Sequence, residues 1–239
     1  MKGKRVVFFI IIALLITSKL MYINPQQMNV KKPLEIFSEK VNAKENTSSN
    51  QKLVQVSDAK NNKRQVAILS IPGTDYTSPI MQSKDNKYYL NHDENDNKSR
   101  GGTPFLDYRV NIDTSRKLLI YGHNSRYTDM PFKILESYYD ESFYNNHRII
   151  KLEINGQERK YEVFSVYTET SDWDYTKVKF ETYKEWLDHI NDLSAKSIYK
   201  SDTKLTEKDK ILILQTCSTK KEYRKYKKKF LLIIARKVG

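Results

Sequence analysis

The sequence predicts a mainly β protein, a barrel or sandwich with added helices. Short apolar runs of strand length recur from residue 66 to residue 235. Asn155-Gly156 lies between two of them, a strong short-range hairpin signal. Only one long stretch, Thr182 to Ser197, has apolar residues at roughly helical spacing: Trp186, Leu187, Ile190, Leu193 and Ala195. Many short strands and few helices make a barrel or a sandwich.

Taken in order, the chain opens on Met1-Lys2-Gly3-Lys4-Arg5, followed by the uncharged run Val6 to Thr17. A basic flank before an apolar run is a targeting segment. Counted through to Ile23 the run is 18 residues, if Lys19 snorkels to the interface. No small-x-small cleavage site follows, so residues 1–23 are expected to be a retained anchor rather than a cleaved signal peptide. The positive-inside rule then leaves the N-terminus in the cytoplasm and the rest outside the cell. The expected location is single-pass, in the cell membrane. Residues 24–63 are rich in Asn, Lys, Ser and Gln and read as an extracellular stalk, with a short helix around 34–41. Residues 64–239 are the expected folded domain. Its strand candidates are Val66–Ile71, ended by Pro72-Gly73, then Leu118–Tyr121, Ile149–Ile154, Lys160–Tyr167, Ile211–Leu214 and Phe230–Ala235.

Composition narrows the function. With 239 residues, 38% of them hydrophobic, the chain can bury a core. A charged fraction of 30% excludes a polytopic membrane protein, and only 7 Gly and 6 Pro exclude a collagen-like chain. One Cys excludes a disulfide framework and a Cys-rich zinc module. The four His, at 92, 123, 147 and 189, form no H-x-x-x-H pair, so no metal site is expected. Forty-two Lys and Arg against 29 Asp and Glu leave a net charge of +13, which favours polyanionic surroundings.

Two residues have the right setting for chemistry. Cys217 ends the apolar run Ile211 to Leu214 and opens a polar, basic loop. His123 likewise follows an apolar strand, in Tyr121-Gly122-His123-Asn124, where Gly122 is expected to let the backbone turn. A strand-end thiol with a strand-end imidazole is the simplest nucleophile and acid/base pair. Residues 220–229 read KKEYRKYKKK, seven positive charges against one negative. That run is either a solvated loop or a source of a cation that lowers the thiol pKa or holds an oxyanion.

Four segments together resemble class B sortases. Leu214-Gln215-Thr216-Cys217 is similar to their L-x-T-C signature, and Tyr121 to Asn124 to their catalytic His motif, in the same order. Gly102-Thr103-Pro104-Phe105-Leu106-Asp107-Tyr108-Arg109 and Pro79 to Leu90 resemble two further class B stretches. The helix around 182–197 is also a class B feature. The resemblance implies a closed eight-stranded β-barrel and a cysteine transpeptidase of the Gram-positive envelope. It implies cleavage of an Asn-Pro-x-Thr type sorting signal after Thr, through a thioester on Cys217, and transfer to an amine of a peptidoglycan precursor. His123 would be the acid/base. Thr216, Asn124, Leu106 and Tyr108 would bind substrate or shape the site. The family's arginine position falls on Arg224, seven residues past Cys217, or, by alignment of the last strand, on Lys229 or Phe230. Arg224 is preferred, because only a guanidinium offers a fixed fork of donors. No cofactor, no nucleic acid and a monomer are expected. The rival readings are a thiol hydrolase and a non-catalytic polyanion-binding surface protein.

Overall fold

The computed structural model describes residues 64–239. The strands are β1 (Gln65–Ser70), β2 (Thr77–Met81), β3 (Phe105–Leu106), β4 (Lys117–Tyr121), β5 (Ile149–Ile154), β6 (Gln157–Glu169), β7 (Ile211–Cys217) and β8 (Phe230–Val238). They close into one barrel in the order β1-β2-β3-β4-β7-β8-β6-β5, with β5 pairing back onto β1. Closure leaves no open sheet edge, which decides barrel over sandwich. Among the described residues there are two α-helices, α1 (Glu141–Asn146) and α2 (Tyr183–Ala195).

Burial explains the strand sequences. Leu212 and Leu214 of β7 and Leu231, Ile233 and Ala235 of β8 fill the barrel interior. Their alternates Ile211, Ile213, Leu232 and Ile234 are equally buried, because α2 covers that outer face with Trp186, Ile190 and Leu193. Strands buried on both faces read as continuous apolar runs rather than alternating ones. The Asn155-Gly156 turn adopts φ of 51° and 74°, the left-handed pair that a two-residue hairpin requires. Thr182 caps α2 by accepting from the Glu185 backbone N–H.

Three elements were not legible. β2 contains Pro79, which argues against a strand. It is tolerated because β2 meets its second neighbour, β3, only at Met81. β3 is two residues long, below any sequence pattern. α1 is one and a half turns, started by the Asp140 carboxylate accepting from Phe143 N–H.

The membrane location expected from the sequence is corrected here. Among the described residues no helix is long and apolar enough to cross a membrane. The longest, α2, has 13 residues, about 20 Å at 1.5 Å per residue, against a hydrocarbon core of about 30 Å. The anchor expected over residues 1–23, the stalk over 24–63 and the helix at 34–41 lie outside the described residues.

A buried cation ties α2 to the barrel. The Lys117 ammonium at the start of β4 donates to the carbonyls of Tyr175 and Lys177 at 2.6 and 2.8 Å. It also lies 2.8 Å from His189 Nε2 on α2. Burial, then the charge of Arg109, pushes the Lys117 pKa down to about 7. Burial and Lys117 push His189 down to about 3, so His189 is neutral and Nε2 accepts. His189 is thus a structural acceptor.

The Gly102 to Arg109 stretch forms a second tie. The buried Asp107 carboxylate accepts from Arg109 through both its oxygens, and from Tyr121 and Asn86. Burial alone would raise its pKa, but these donors hold it below the usual range. Arg109 also donates to the Thr176 carbonyl, three residues past Trp173, and so fixes the stretch that leads to α2.

Candidate active site

β4 and β7 are parallel neighbours, with Tyr121 level with Gln215. Parallel strands deliver their C-terminal ends to the same rim. The two segments leaving them are stitched together by three hydrogen bonds. Gly122 N–H donates to Gln215 O at 3.1 Å, Thr216 Oγ1 to Gly122 O at 2.8 Å and Asn124 Nδ2 to Cys217 O at 3.0 Å. Ninety-four residues apart in the chain, His123 and Cys217 therefore leave adjacent strand ends.

His123 is oriented by the backbone. Its Nε2 is 2.8 Å from the Leu90 carbonyl oxygen. A carbonyl only accepts, so this nitrogen carries a proton, which leaves Nδ1 as the ring nitrogen free to exchange one. Phe132 N–H holds the His123 carbonyl at 2.9 Å. The Gly122 expectation is corrected: its φ is not in the left-handed region. Glycine is needed because a Cβ there would stand 2.5 Å from Phe132 Cδ2. Gly122→Ala should displace the buried Phe132 ring and destabilise the domain by about 1–3 kcal/mol. Thermal unfolding reads this directly, and an unchanged midpoint would refute the packing argument.

Cys217 is the last residue of β7 and is exposed. Strand parity places Thr216 on the barrel side, fully buried, and Cys217 on the outer side. Phe230 pairs with Cys217 across β8, and Trp173 packs on Phe230 with ring centroids 5.0 Å apart. Burial pushes the Cys217 thiol pKa up, and the charge of Lys229 opposes that rise. The residue is solvent-accessible at its rim position while the protein around it still desolvates the thiolate.

The two candidate cations are placed differently. Arg224 closes the single 3-10 turn Lys221–Tyr223, is exposed, and its guanidinium has no partner among the described residues. Lys229 directly precedes Phe230, the residue opposite Cys217, and its carbonyl accepts from Ser218 N–H at 2.8 Å. Of the two, Lys229 is the cation whose charge opposes the rise in the thiol pKa.

The remaining expected residues divide. Asn124 and Thr216 sit in the stitch beside Cys217. Asn124 Oδ1 is buried with no hydrogen-bond partner among the described residues. Leu106 is fully buried in the barrel core, paired with Ile120 across β3 and β4, so it shapes the wall and touches nothing outside. Tyr108 is 52% exposed, with its backbone N–H donating to Asn86.

Sequence reasoning missed a clasp on the segment after Cys217. The Glu136 carboxylate accepts from Thr219 N–H and Oγ1, both at 2.6 Å. Arg126 donates to the Thr219 carbonyl at 2.6 Å. Tyr139 Oη bridges Ser218 and Thr168 at 2.7 and 2.6 Å. These partners lie about 80 to 90 residues from Thr219 or Ser218 in three cases, and no local motif marks them.

A closed barrel with a thiol and an oriented imidazole on one rim defines a barrel-type cysteine enzyme. Residues 69–238 match the family model of the sortase domain. The chain is 37% identical over 165 residues to sortase B of Listeria monocytogenes, covering 69% of this chain and 67% of that one. It is 32% identical over 157 residues to sortase B of Staphylococcus aureus, covering 65% and 64%. The matched stretch is thus about two thirds of each curated relative. Two solved structures superpose with TM-scores of 0.66 at 30% identity over 74% of this chain. One is a Staphylococcus aureus sortase B–substrate complex, 81% covered, and the other a sortase B complexed with Gly3, 82% covered. The chain belongs to the sortase family and is a class B, sortase B-type cysteine transpeptidase.

Proposed function

We propose that the domain, with its start near residue 64, cleaves a sorting signal of the Asn-Pro-x-Thr type after Thr and transfers the acyl group to an amine. The observation that carries this reading is the placement of Cys217 and His123 on adjacent parallel strand ends. The related complexes with a substrate and with Gly3 support the two partner classes, a signal peptide and an amine.

In this mechanism the Cys217 proton passes to His123 Nδ1, and the thiolate attacks the Thr carbonyl carbon. The tetrahedral adduct collapses as the imidazolium gives its proton to the departing amine. A thioester remains. The incoming amine attacks it, His123 takes the amine's proton, and Cys217 leaves as the thiolate. One amide is broken and one formed, with no cofactor. Lys229 stabilises the thiolate, and its ammonium is a point charge rather than a fork. Asn124 and Thr216 act by holding the two strand ends in register.

A peptide-library profile with and without a small amine tests the reading. Cleavage after Thr, with an amide product when amine is present, is expected. Free acid as the sole product at saturating amine would make the enzyme a thiol hydrolase. The cation assignment has its own test. Lys229→Ala should lower kcat by about 10²–10³, the typical loss for one electrostatic stabiliser, while Arg224→Ala stays near wild type. Alkylation of Cys217 by iodoacetamide across pH separates charge from substrate binding. Lys229 lowers the thiol pKa, so Lys229→Gln should move the alkylation midpoint to higher pH, and Arg224→Gln should leave it in place. The reverse pattern would return the role to Arg224.

A further inference from the structure

The barrel has a second end, opposite the catalytic rim. Strands β4 and β7 start there, β8 finishes there and β6 begins there, with Ile211 of β7 level with Lys117 and Arg236, and Tyr161 of β6 level with Lys237. Three strands that are contiguous in the barrel, β7, β8 and β6, each end their inward row at this floor in a cation. In β7 the core residues Leu214 and Leu212 are followed, two positions on, by Lys210. In β8 the core residues Leu231, Ile233 and Ala235 lead to Lys237. In β6 Val163 and Tyr161 lead to Arg159, which pairs with the inward Leu152 of β5. Side chains two apart in a strand share a face, so the parity that fills the core also turns these three toward the barrel axis.

The three cations line one cavity of about 240 Å³, together with Tyr161, Gln157 and Asp113. Arg159 is satisfied, since it donates to the Ile112 carbonyl and pairs with the Asp113 carboxylate. Arg116 stands at the cavity edge with its guanidinium turned over the rings of Tyr183 and Trp186, at 4.8 and 5.6 Å. The ammonium groups of Lys210 and Lys237 have no carboxylate partner and no hydrogen-bond acceptor among the described residues. Their backbones are joined by Lys237 N–H donating to the Lys210 carbonyl at 2.8 Å, so the two side chains start from neighbouring points. The acids next to the cations in sequence are engaged elsewhere. Glu158 pairs with Lys151 and Lys160, and the Asp209 carboxylate accepts from the backbone N–H and hydroxyl of Thr206.

Tyr161 supplies an independent observation. It is 2% exposed, lines the same cavity and lies directly across from Lys237, yet its hydroxyl makes no hydrogen bond among the described residues. Like charges on neighbouring strands repel, and a buried hydroxyl without a partner forfeits its hydration. One anion in the cavity removes both costs. Two unpaired ammonium groups call for two or more negative charges, because the Arg159–Asp113 pair contributes none. The volume holds a compact ion and excludes a polymer. The groups that face it can all donate, and an oxyanion offers acceptors in several directions.

We infer that the floor of the barrel is a binding site for a compact oxyanion of two or more negative charges, held by Lys210, Lys237 and the Tyr161 hydroxyl. The site lies at the far end of β7 from Cys217, so the anion takes no part in bond making. It ties the ends of β6, β7 and β8 together and stabilises the native fold by mass action.

The probes are inorganic phosphate, sulfate and citrate, each titrated into the whole enzyme at an ionic strength fixed with sodium chloride. At about ten times its Kd, a bound anion should raise the unfolding midpoint by about 3–5 °C, and chloride should not. The combined variant Lys210→Gln and Lys237→Gln should weaken binding by about tenfold or more and abolish the rise. Tyr161→Phe should weaken it by about tenfold, the loss of one hydrogen bond to a charged group. The combined variant Lys204→Gln and Lys208→Gln removes the same charge elsewhere on the surface and should leave both readouts unchanged. Thioester formation on Cys217 should be equal in all four proteins, so this test succeeds or fails apart from the catalytic reading. Saturable binding of any of the three probes, lost with Lys210 and Lys237, supports the site, and their order of affinity reads its geometry. No saturable binding by any of them, a rise that chloride matches, or equal losses in the two combined variants would overturn the inference.

Discussion

Cys217→Ala is expected to abolish the acyl adduct and to lower turnover by about 10⁶, the scale seen when a covalent nucleophile is removed. The reason is that the hydrogen-bonded stitch leaves a single thiol at the rim, and no other nucleophile can form the thioester. Stability should change by less than about 0.5 kcal/mol, because Cys217 is exposed and its side chain makes no hydrogen bond. Cys217→Ser should not restore activity, since a hydroxyl in a site that already desolvates a thiolate will not ionise near neutral pH. Intact-mass spectrometry with a signal peptide and no amine reads the adduct directly. A wild-type protein that never gains acyl mass, across a full peptide library, would refute nucleophilic catalysis by Cys217.

The second large effect is at His123. His123→Ala should lower kcat by about 10²–10⁴, the range for loss of a positioned acid/base group. KM should change little, because the imidazole acts on protons in flight rather than on signal binding. Added imidazole should restore part of the rate. His123→Gln should not, although its side-chain amide can still donate to the Leu90 carbonyl, because it has no group that exchanges a proton near neutral pH. Alkylation of Cys217 should still reach completion in both variants, showing the thiol is intact. A loss below about threefold in His123→Ala would remove His123 from the mechanism.

Neither effect depends on the basic loop, and the contrast shows where sequence reasoning ends. The strand runs, the Asn155-Gly156 hairpin and α2 were legible because each is a local pattern of apolar spacing or turn chemistry. β2 was not, since Pro79 is acceptable only where a neighbouring strand is nearly absent. Gly122 was read as a turn residue, but the space taken by Phe132 is what demands it. Nothing local in the sequence marks Lys117 as buried. Its burial follows from two carbonyls and a histidine brought from about 60 to 72 residues away.

The sequence by itself determined that a thiol and an imidazole each follow an apolar strand. An apolar strand that stops at a thiol, and another that stops at Gly-His-Asn, are local facts that survive any packing of the rest. It also determined the charge of the loop, because composition does not depend on the path of the chain. Tertiary structure alone sets how the two candidate cations are placed. The sequence reading preferred Arg224, seven residues past Cys217, over Lys229, at twelve, for the fixed fork of its guanidinium. The register of β7 on β8 sets Phe230 opposite Cys217, and Lys229 directly precedes that residue. The 3-10 turn at Lys221–Tyr223 carries Arg224 out to solvent. Antiparallel pairing makes the end of a loop closer to its start than the middle is, and no count of residues along the chain expresses that.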